Sequence, residues 1–204
     1  MTKSYSLSLF ILVIFFENSI QARTQTTLDY QSRIHPEIGS DFMVVTQNKH
    51  ATQAGYEILR QGGNAVDAAV AVGFALSVTL PRAGNLGGGG FILIYDKDTD
   101  KVSSIDYRSA APQSSKSEMF IDNGEVIKFG HLVNAVPGSV AGLLKAHEAQ
   151  GSLPLSSLLK PAIRLAKNGF EVTYDLNFVL EWGGESMLVN KASREKFYNK
   201  NEEP

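Results

Sequence analysis

Gly84-Asn85-Leu86-Gly87-Gly88-Gly89-Gly90 runs directly into Phe91-Ile92-Leu93-Ile94-Tyr95. Four consecutive glycines carry no Cβ, so this backbone can reach φ > 0 or lie flat against another backbone or a ligand. Ordering such a segment costs more entropy than ordering any other, so its surroundings must hold it. Residues 65–79, upstream, are apolar almost throughout, which predicts a helix buried on all sides. The run 91–95 predicts a buried strand. The glycines therefore mark a helix-to-strand junction, a place where main-chain amides often serve chemistry. Composition alone equally allows a mobile turn. A nucleotide loop is excluded by spacing: no lysine follows Gly90, and no Gly-x-Gly-x-x-Gly opens a helix.

Working outward, Asn64 is placed to cap the helix over 65–79, with Asp67 at its third position to suit the positive helix end. Pro81 ends it. Before it, residues 50–61 carry an apolar stripe of Ala51, Ala54, Ile58 and Leu59, with Gly62-Gly63 as the stop. Phe42-Met43-Val44-Val45 reads as a first buried strand. Downstream, 91–96 and 102–107 read as two strands joined by the loop Lys97-Asp98-Thr99-Asp100, and Asp122-Asn123-Gly124 as a second tight turn. Val136-Pro137-Gly138-Ser139 opens a helix that Gly151 closes. Residues 155–160 and 161–167 read as a helical pair broken at Pro161, ended by Asn168-Gly169. From Tyr174 the pattern is helical, interrupted at Trp182-Gly183-Gly184, and 191–204 is polar. This order predicts an α+β fold, an antiparallel sheet covered by helices.

The chain has 204 residues, 43% hydrophobic and 20% charged, enough for one domain with a real core. A formal net charge of −2 and the lack of any basic run exclude nucleic acid as a partner class. Cysteine is absent, which excludes disulfides, thiolate zinc sites and a cysteine nucleophile. Lys3, the apolar residues 7–16 and Ile20-Gln21-Ala22 read as a signal peptide over 1–22, too short to span a bilayer. It predicts export, to a periplasm or the medium, with no membrane anchor after cleavage. Residues 23–42 read as an extended leader.

Few side chains suggest chemistry. His35, His50, His131 and His147 are scattered without metal-ligand spacing, and Asp96, Asp98 and Asp100 lack the calcium-loop pattern. No metal or cofactor is expected. Gly138-Ser139 opens a helix without the strand that a nucleophile elbow needs. Arg108 stands at the end of the second strand. Its fork can grip a carboxylate through two parallel hydrogen bonds. It can equally form an exposed ion pair with Asp106, two residues back on the same strand face, and spacing alone favours that pair.

Five motifs in this order resemble the N-terminal part of a bacterial γ-glutamyltranspeptidase, also called glutathione hydrolase. They are residues 61–71 (Gln-Gly-Gly-Asn-Ala-Val-Asp-Ala-Ala-Val-Ala), 84–91, Asp106-Tyr107-Arg108 with Ala111-Pro112, residues 136–142, and residues 161–166 with Gly169-Phe170. The resemblance covers 43–172. It implies an N-terminal-nucleophile hydrolase of the αββα sandwich type, with only its first part present: 43–204 is an incomplete N-terminal part of the large subunit. It further implies a precursor cut into two subunits, whose small subunit supplies a threonine nucleophile. The γ-glutamyl group of glutathione or another γ-glutamyl compound would form an acyl-enzyme and pass to water or to an amino-acid or dipeptide amine. By resemblance, Arg108 holds the substrate α-carboxylate, and no catalytic residue is expected in this chain. Thr24, Thr26 and Thr27 do not fit, because cleavage after Ala22 leaves Arg23 first. Ser109 departs from the glutamate that follows this arginine in many relatives. The alternatives are a truncated inactive remnant or γ-glutamyl-binding module, and a related amide acylase, against which Arg108 argues.

Overall fold

Helix α1 (Lys49–Arg60) begins where the Asn48 side chain accepts hydrogen bonds from the amides of His50 and Ala51. Ala51, Ala54, Gly55 and Ile58 form its buried stripe. Gly62, at φ 87°, turns the chain out of the helix through the left-handed region. The Asn64 side chain then accepts from the Asp67 amide while the Asp67 carboxylate accepts from the Asn64 amide, a reciprocal cap that starts α2 (Ala65–Thr79). Val66, Asp67, Ala68, Val70, Ala71, Ala75 and Thr79 of α2 are all buried, as an apolar helix requires.

The computed structural model describes residues 38–204 apart from 123, 128 and 129. The chain divides into 1–39 and 40–204, and every element named here belongs to the second unit. The signal peptide read at 1–22, the leader as far as residue 37, Thr24, Thr26, Thr27, His35 and the Asn123 of the second turn lie outside the described residues. No described helix is long and apolar enough to cross a membrane.

Strands β1 (Phe91–Asp96) and β2 (Lys101–Asp106) pair antiparallel, with Phe91 opposite Asp106, Leu93 opposite Ser104 and Tyr95 opposite Val102. Ile92, Ile94 and Ile105 face the helices and pack on the main core of Ile58, Val66, Val70, Ala71, Leu143, Ala146 and Leu158. Full burial of one such aliphatic side chain stabilises by roughly 1.5–3 kcal/mol. The other hairpin face is bare: Phe91, Leu93, Tyr95 and Val102 are 67%, 76%, 60% and 64% exposed. A two-residue ladder joins β3 (Ile121–Asp122) to β4 (Glu125–Val126). Then come α3 (Ser139–Gln150), α4 (Leu155–Asn168), α5 (Tyr174–Trp182), α6 (Gly184–Leu188) and α7 (Lys191–Phe197). Helix α2 is the centre of the layer: α1 and α4 pack closely against it and α3 packs more lightly. The result is an α+β body whose sheet carries helices on one face.

Three expectations are corrected. No strand forms at 42–45: Phe42, Met43 and Val45 are exposed, and the segment shares no ladder with any described strand. Apolar β-branched residues favour an extended chain, but a strand exists only beside a partner. Pro161 does not break a helix; α4 runs through it without interruption. Its ring is buried beside Leu158 and Ala162, and that packing outweighs one missing main-chain hydrogen bond. Pro137 is not inside its helix, because Gly138 is the cap and α3 begins at Ser139. The polar tail also holds a helix, α7, which Asn190 caps through the amides of Ala192 and Ser193.

Candidate functional site

Beyond Asp106 the chain keeps its pairing for one more residue. The Tyr107 amide donates to the Gly90 carbonyl at 3.0 Å, and the Gly90 amide donates back to the Tyr107 carbonyl at 3.3 Å. Ala110 and Val136 then exchange two main-chain bonds of 3.1 and 2.8 Å. The start of α3 closes the ring: the amides of Gly138 and Ser139 both donate to the Gly88 carbonyl, at 2.9 and 3.1 Å. The Ser139 hydroxyl, on a buried residue, donates to the Asn85 carbonyl at 3.1 Å. Three motifs distant in sequence thus meet around Tyr107-Arg108-Ser109.

Space dictates the glycines here. A Cβ on Gly89 would lie 2.5 Å from the Ser109 nitrogen and 2.6 Å from the Tyr107 oxygen. One on Gly138 would lie 2.0 Å from the Tyr107 oxygen, and one on Gly142 2.1 Å from Tyr107 Cγ. None of the glycines from 84 to 90 has positive φ. Their absent side chains serve close approach, and the left-handed freedom that the sequence allowed is not used. Gly138, the cap of α3, and Gly142, one turn later, admit Tyr107 together: the first its main chain, the second its ring. Burial pushes the Tyr107 phenol above the usual tyrosine value. A cavity of about 190 Å³ lies beside the ring, lined in part by Asn85, Gly89, Tyr107 and Ser139.

Arg108 follows this anchored residue and is exposed. The ion pair with Asp106 does not form. Asp106 Oδ1 instead accepts the Arg108 amide at 2.9 Å, and among the described residues the guanidinium has neither a carboxylate partner nor a hydrogen bond. Arg108 lies outside the lining of the neighbouring cavity and points a free cation to the surface. Ser109, partly buried, has its amide against Gly89.

The remaining candidates are structural. His147 Nε2 shares a 2.8 Å hydrogen bond with the Leu153 carbonyl, and the His50 ring meets Phe170 edge-on at 5.8 Å. Asp96 accepts the Asp98 amide and the Thr99 hydroxyl within the hairpin loop. No group of three or more potential metal ligands occurs among the described residues. Sequence reasoning saw only half of Asp67. Besides capping α2, its carboxylate accepts the Ser152 hydroxyl and the amides of Ser152 and Leu153, tying α2 to the loop between α3 and α4. It also missed Tyr107 and Ser139, whose partners lie in other motifs; the one available signal was the one-turn spacing of Gly138 and Gly142.

Comparison with known proteins bears on this arrangement. The family model described as gamma-glutamyltranspeptidase matches residues 51–204. The chain is 42% identical over 175 residues to a glutathione hydrolase proenzyme of Escherichia coli, covering 83% of this chain and 30% of that protein. It therefore spans under a third of that relative. Among solved structures, Helicobacter pylori gamma-glutamyltranspeptidase superposes with a TM-score of 0.77 at 35% identity, covering 83% of this chain and 50% of that one. A cephalosporin acylase from Bacillus halodurans superposes with a TM-score of 0.63 at 31% identity, covering 79% and 31%. These likenesses place the α+β body in the N-terminal-nucleophile hydrolase class, of which it covers a part. By the matched model, the order of its motifs and the shared fold, the chain belongs to the γ-glutamyltranspeptidase family.

Proposed function

We propose that this chain is the substrate-gripping portion of an exported γ-glutamyltransferase and glutathione hydrolase, working beside a small subunit cut from the same precursor. One observation carries the reading. Arg108 is a free guanidinium on a backbone that is fixed on both sides, which is the disposition a carboxylate receptor needs. In this reading, Arg108 receives the α-carboxylate of a γ-glutamyl compound such as glutathione in two parallel hydrogen bonds. That fixes the amino-acid end and sets the γ-carbonyl at a constant distance from it.

The bond-breaking group then comes from the partner subunit. An N-terminal threonine hydroxyl attacks the γ-carbonyl and its proton passes to the α-amine. The amide C–N bond breaks, the leaving amine takes a proton, and an acyl-enzyme remains. Water releases glutamate; an amino acid or dipeptide amine takes the group as a new γ-glutamyl product. The residues of this chain bind and orient, and none donates electrons to the substrate. The apolar start of the sequence supports delivery to a periplasm or the medium.

The likeness to a cephalosporin acylase favours one second reading, an amide acylase on the same fold. Arg108 separates the two, since an acyl group without an α-carboxylate gives that charge nothing to hold. In the complete enzyme, Arg108→Ala is expected to raise KM for glutathione on the order of 100-fold, as loss of a charge-assisted pair does, with a smaller effect on kcat. An unchanged KM refutes the role.

A further inference from the structure

We propose that the ring of Tyr107 is a positioning residue for Arg108: it sets where the guanidinium stands by locking the backbone one residue before it. This rests on the reading of Arg108 as the carboxylate receptor. The ring lies in a slot made for it. Side-chain carbons at Gly142 and Gly90 would fall 2.1 Å from Tyr107 Cγ and 2.9 Å from its hydroxyl oxygen, so both faces of the slot are bare backbone. The Tyr107 main chain is held independently, by Gly90 through two hydrogen bonds and by the close approach of Gly138 and Gly89. A ring pinned on helix α3 and a backbone pinned on the glycine run leave Arg108 one direction, outward. Asp106 completes the arrangement by holding the Arg108 amide.

The hydroxyl itself has no hydrogen-bond partner among the described residues, so ring volume and stiffness carry the role. Arginine has many rotamers, and a receptor built on it is only as well placed as its Cα. A displacement of about 1 Å at a binding group is enough to lose up to roughly a hundredfold in rate or binding.

The test is a double-mutant cycle in the complete enzyme, read as KM and kcat for glutathione, with folded content followed by circular dichroism. Tyr107→Phe is expected to match the parent. Tyr107→Leu, which keeps apolar volume but not the planar fit, is expected to raise KM by roughly tenfold while leaving kcat within a factor of two or so. In the Arg108→Ala background the same change is expected to raise KM no further, because the group it positions is gone. A merely structural ring would lower folded content equally in both backgrounds and leave KM alone, and that result overturns the proposal. A raised KM in Tyr107→Phe also overturns it. If Tyr107→Leu yields no folded enzyme, Tyr107→Met fills the slot with a flexible chain instead; loss of folding in both assigns the ring to stability and overturns the proposal. If Arg108→Ala itself leaves KM unchanged, the receptor reading fails first, which is a distinct outcome from failure at Tyr107 alone.

Discussion

Replacing Asp67 with alanine removes one side chain and leaves several donors without an acceptor. Asp67 is fully buried, at 0% exposure. Its two oxygens accept the Asn64 amide at 3.0 Å, the Ser152 amide at 3.0 and 3.2 Å, the Leu153 amide at 3.3 Å and the Ser152 hydroxyl. The hydroxyl can rotate to another acceptor and the Asn64 amide lies near the surface. Ser152 is itself exposed, so its amide can also turn to water, whereas the half-buried Leu153 amide has less escape, and one orphaned buried donor costs about 1–3 kcal/mol. Loss of the helix cap adds about 1 kcal/mol. The expected total is about 2–4 kcal/mol. For a chain of this size that lowers Tm by roughly 4–16 °C. Thermal and urea melts of the purified chain by circular dichroism read it directly, and a loss below about 1 kcal/mol refutes the claim that this carboxylate locks α2 to the α3–α4 loop.

The same residue makes a prediction in pH. Burial pushes the Asp67 carboxyl up, but the Ser152 hydroxyl and the amides of Asn64, Ser152 and Leu153 outweigh it, so it stays below the usual aspartate value. A depressed folded-state pKa contributes stability that is fully present above the unfolded value near 3.9. That contribution disappears as pH falls through the lower folded-state pKa. The stability gap between parent and Asp67→Ala should therefore be constant from neutral pH down to about 5 and shrink below about 4. A gap that widens in acid contradicts the sign.

Two further expectations concern the glycines and the open sheet. Gly142→Ala sits inside a helix, where propensity alone predicts a gain of up to about 1 kcal/mol; the 2.1 Å approach to Tyr107 Cγ instead predicts a loss of about 1–3 kcal/mol, so the direction of the urea midpoint decides. Leu93→Lys, on the outer face of the hairpin, should leave stability within about 0.5 kcal/mol and lower the fluorescence of an apolar-surface dye; a melt several degrees lower would show that this face is packed.

Elements with both a start and a stop written locally were legible. Helix α2 lies at residues 65–79 as read, because Asn64 and Asp67 cap it and Leu80-Pro81 end it. Strand β1 likewise begins where the glycines end. The misreadings share a cause. Phe42-Met43-Val44-Val45 has the composition of a strand, but pairing depends on a neighbour that no local pattern names. Pro161 carries a strong local signal for a break, and its burial on the same helix as the buried Leu158 and Ala162 overrides it. At the site, Arg108 was visible as a residue with the right chemistry at a strand end, yet spacing favoured its ion pair with Asp106 until the carboxylate proved to be turned to main chain. The role of Tyr107 was invisible, since the glycines that make room for it sit in separate motifs and only folding brings them together.

The doubly used Gly88 carbonyl has a chemical consequence. Two of the main-chain donors at the opening turn of α3 are consumed inside the protein, so they offer little to an anion that arrives beside the glycine run. In the function proposed above, charge recognition there falls to the exposed Arg108. An exposed arm is screened by electrolyte in a way that an enclosed cradle of amides is not, so on that reading affinity for acidic guests at this rim should track the ionic strength of the surrounding solution.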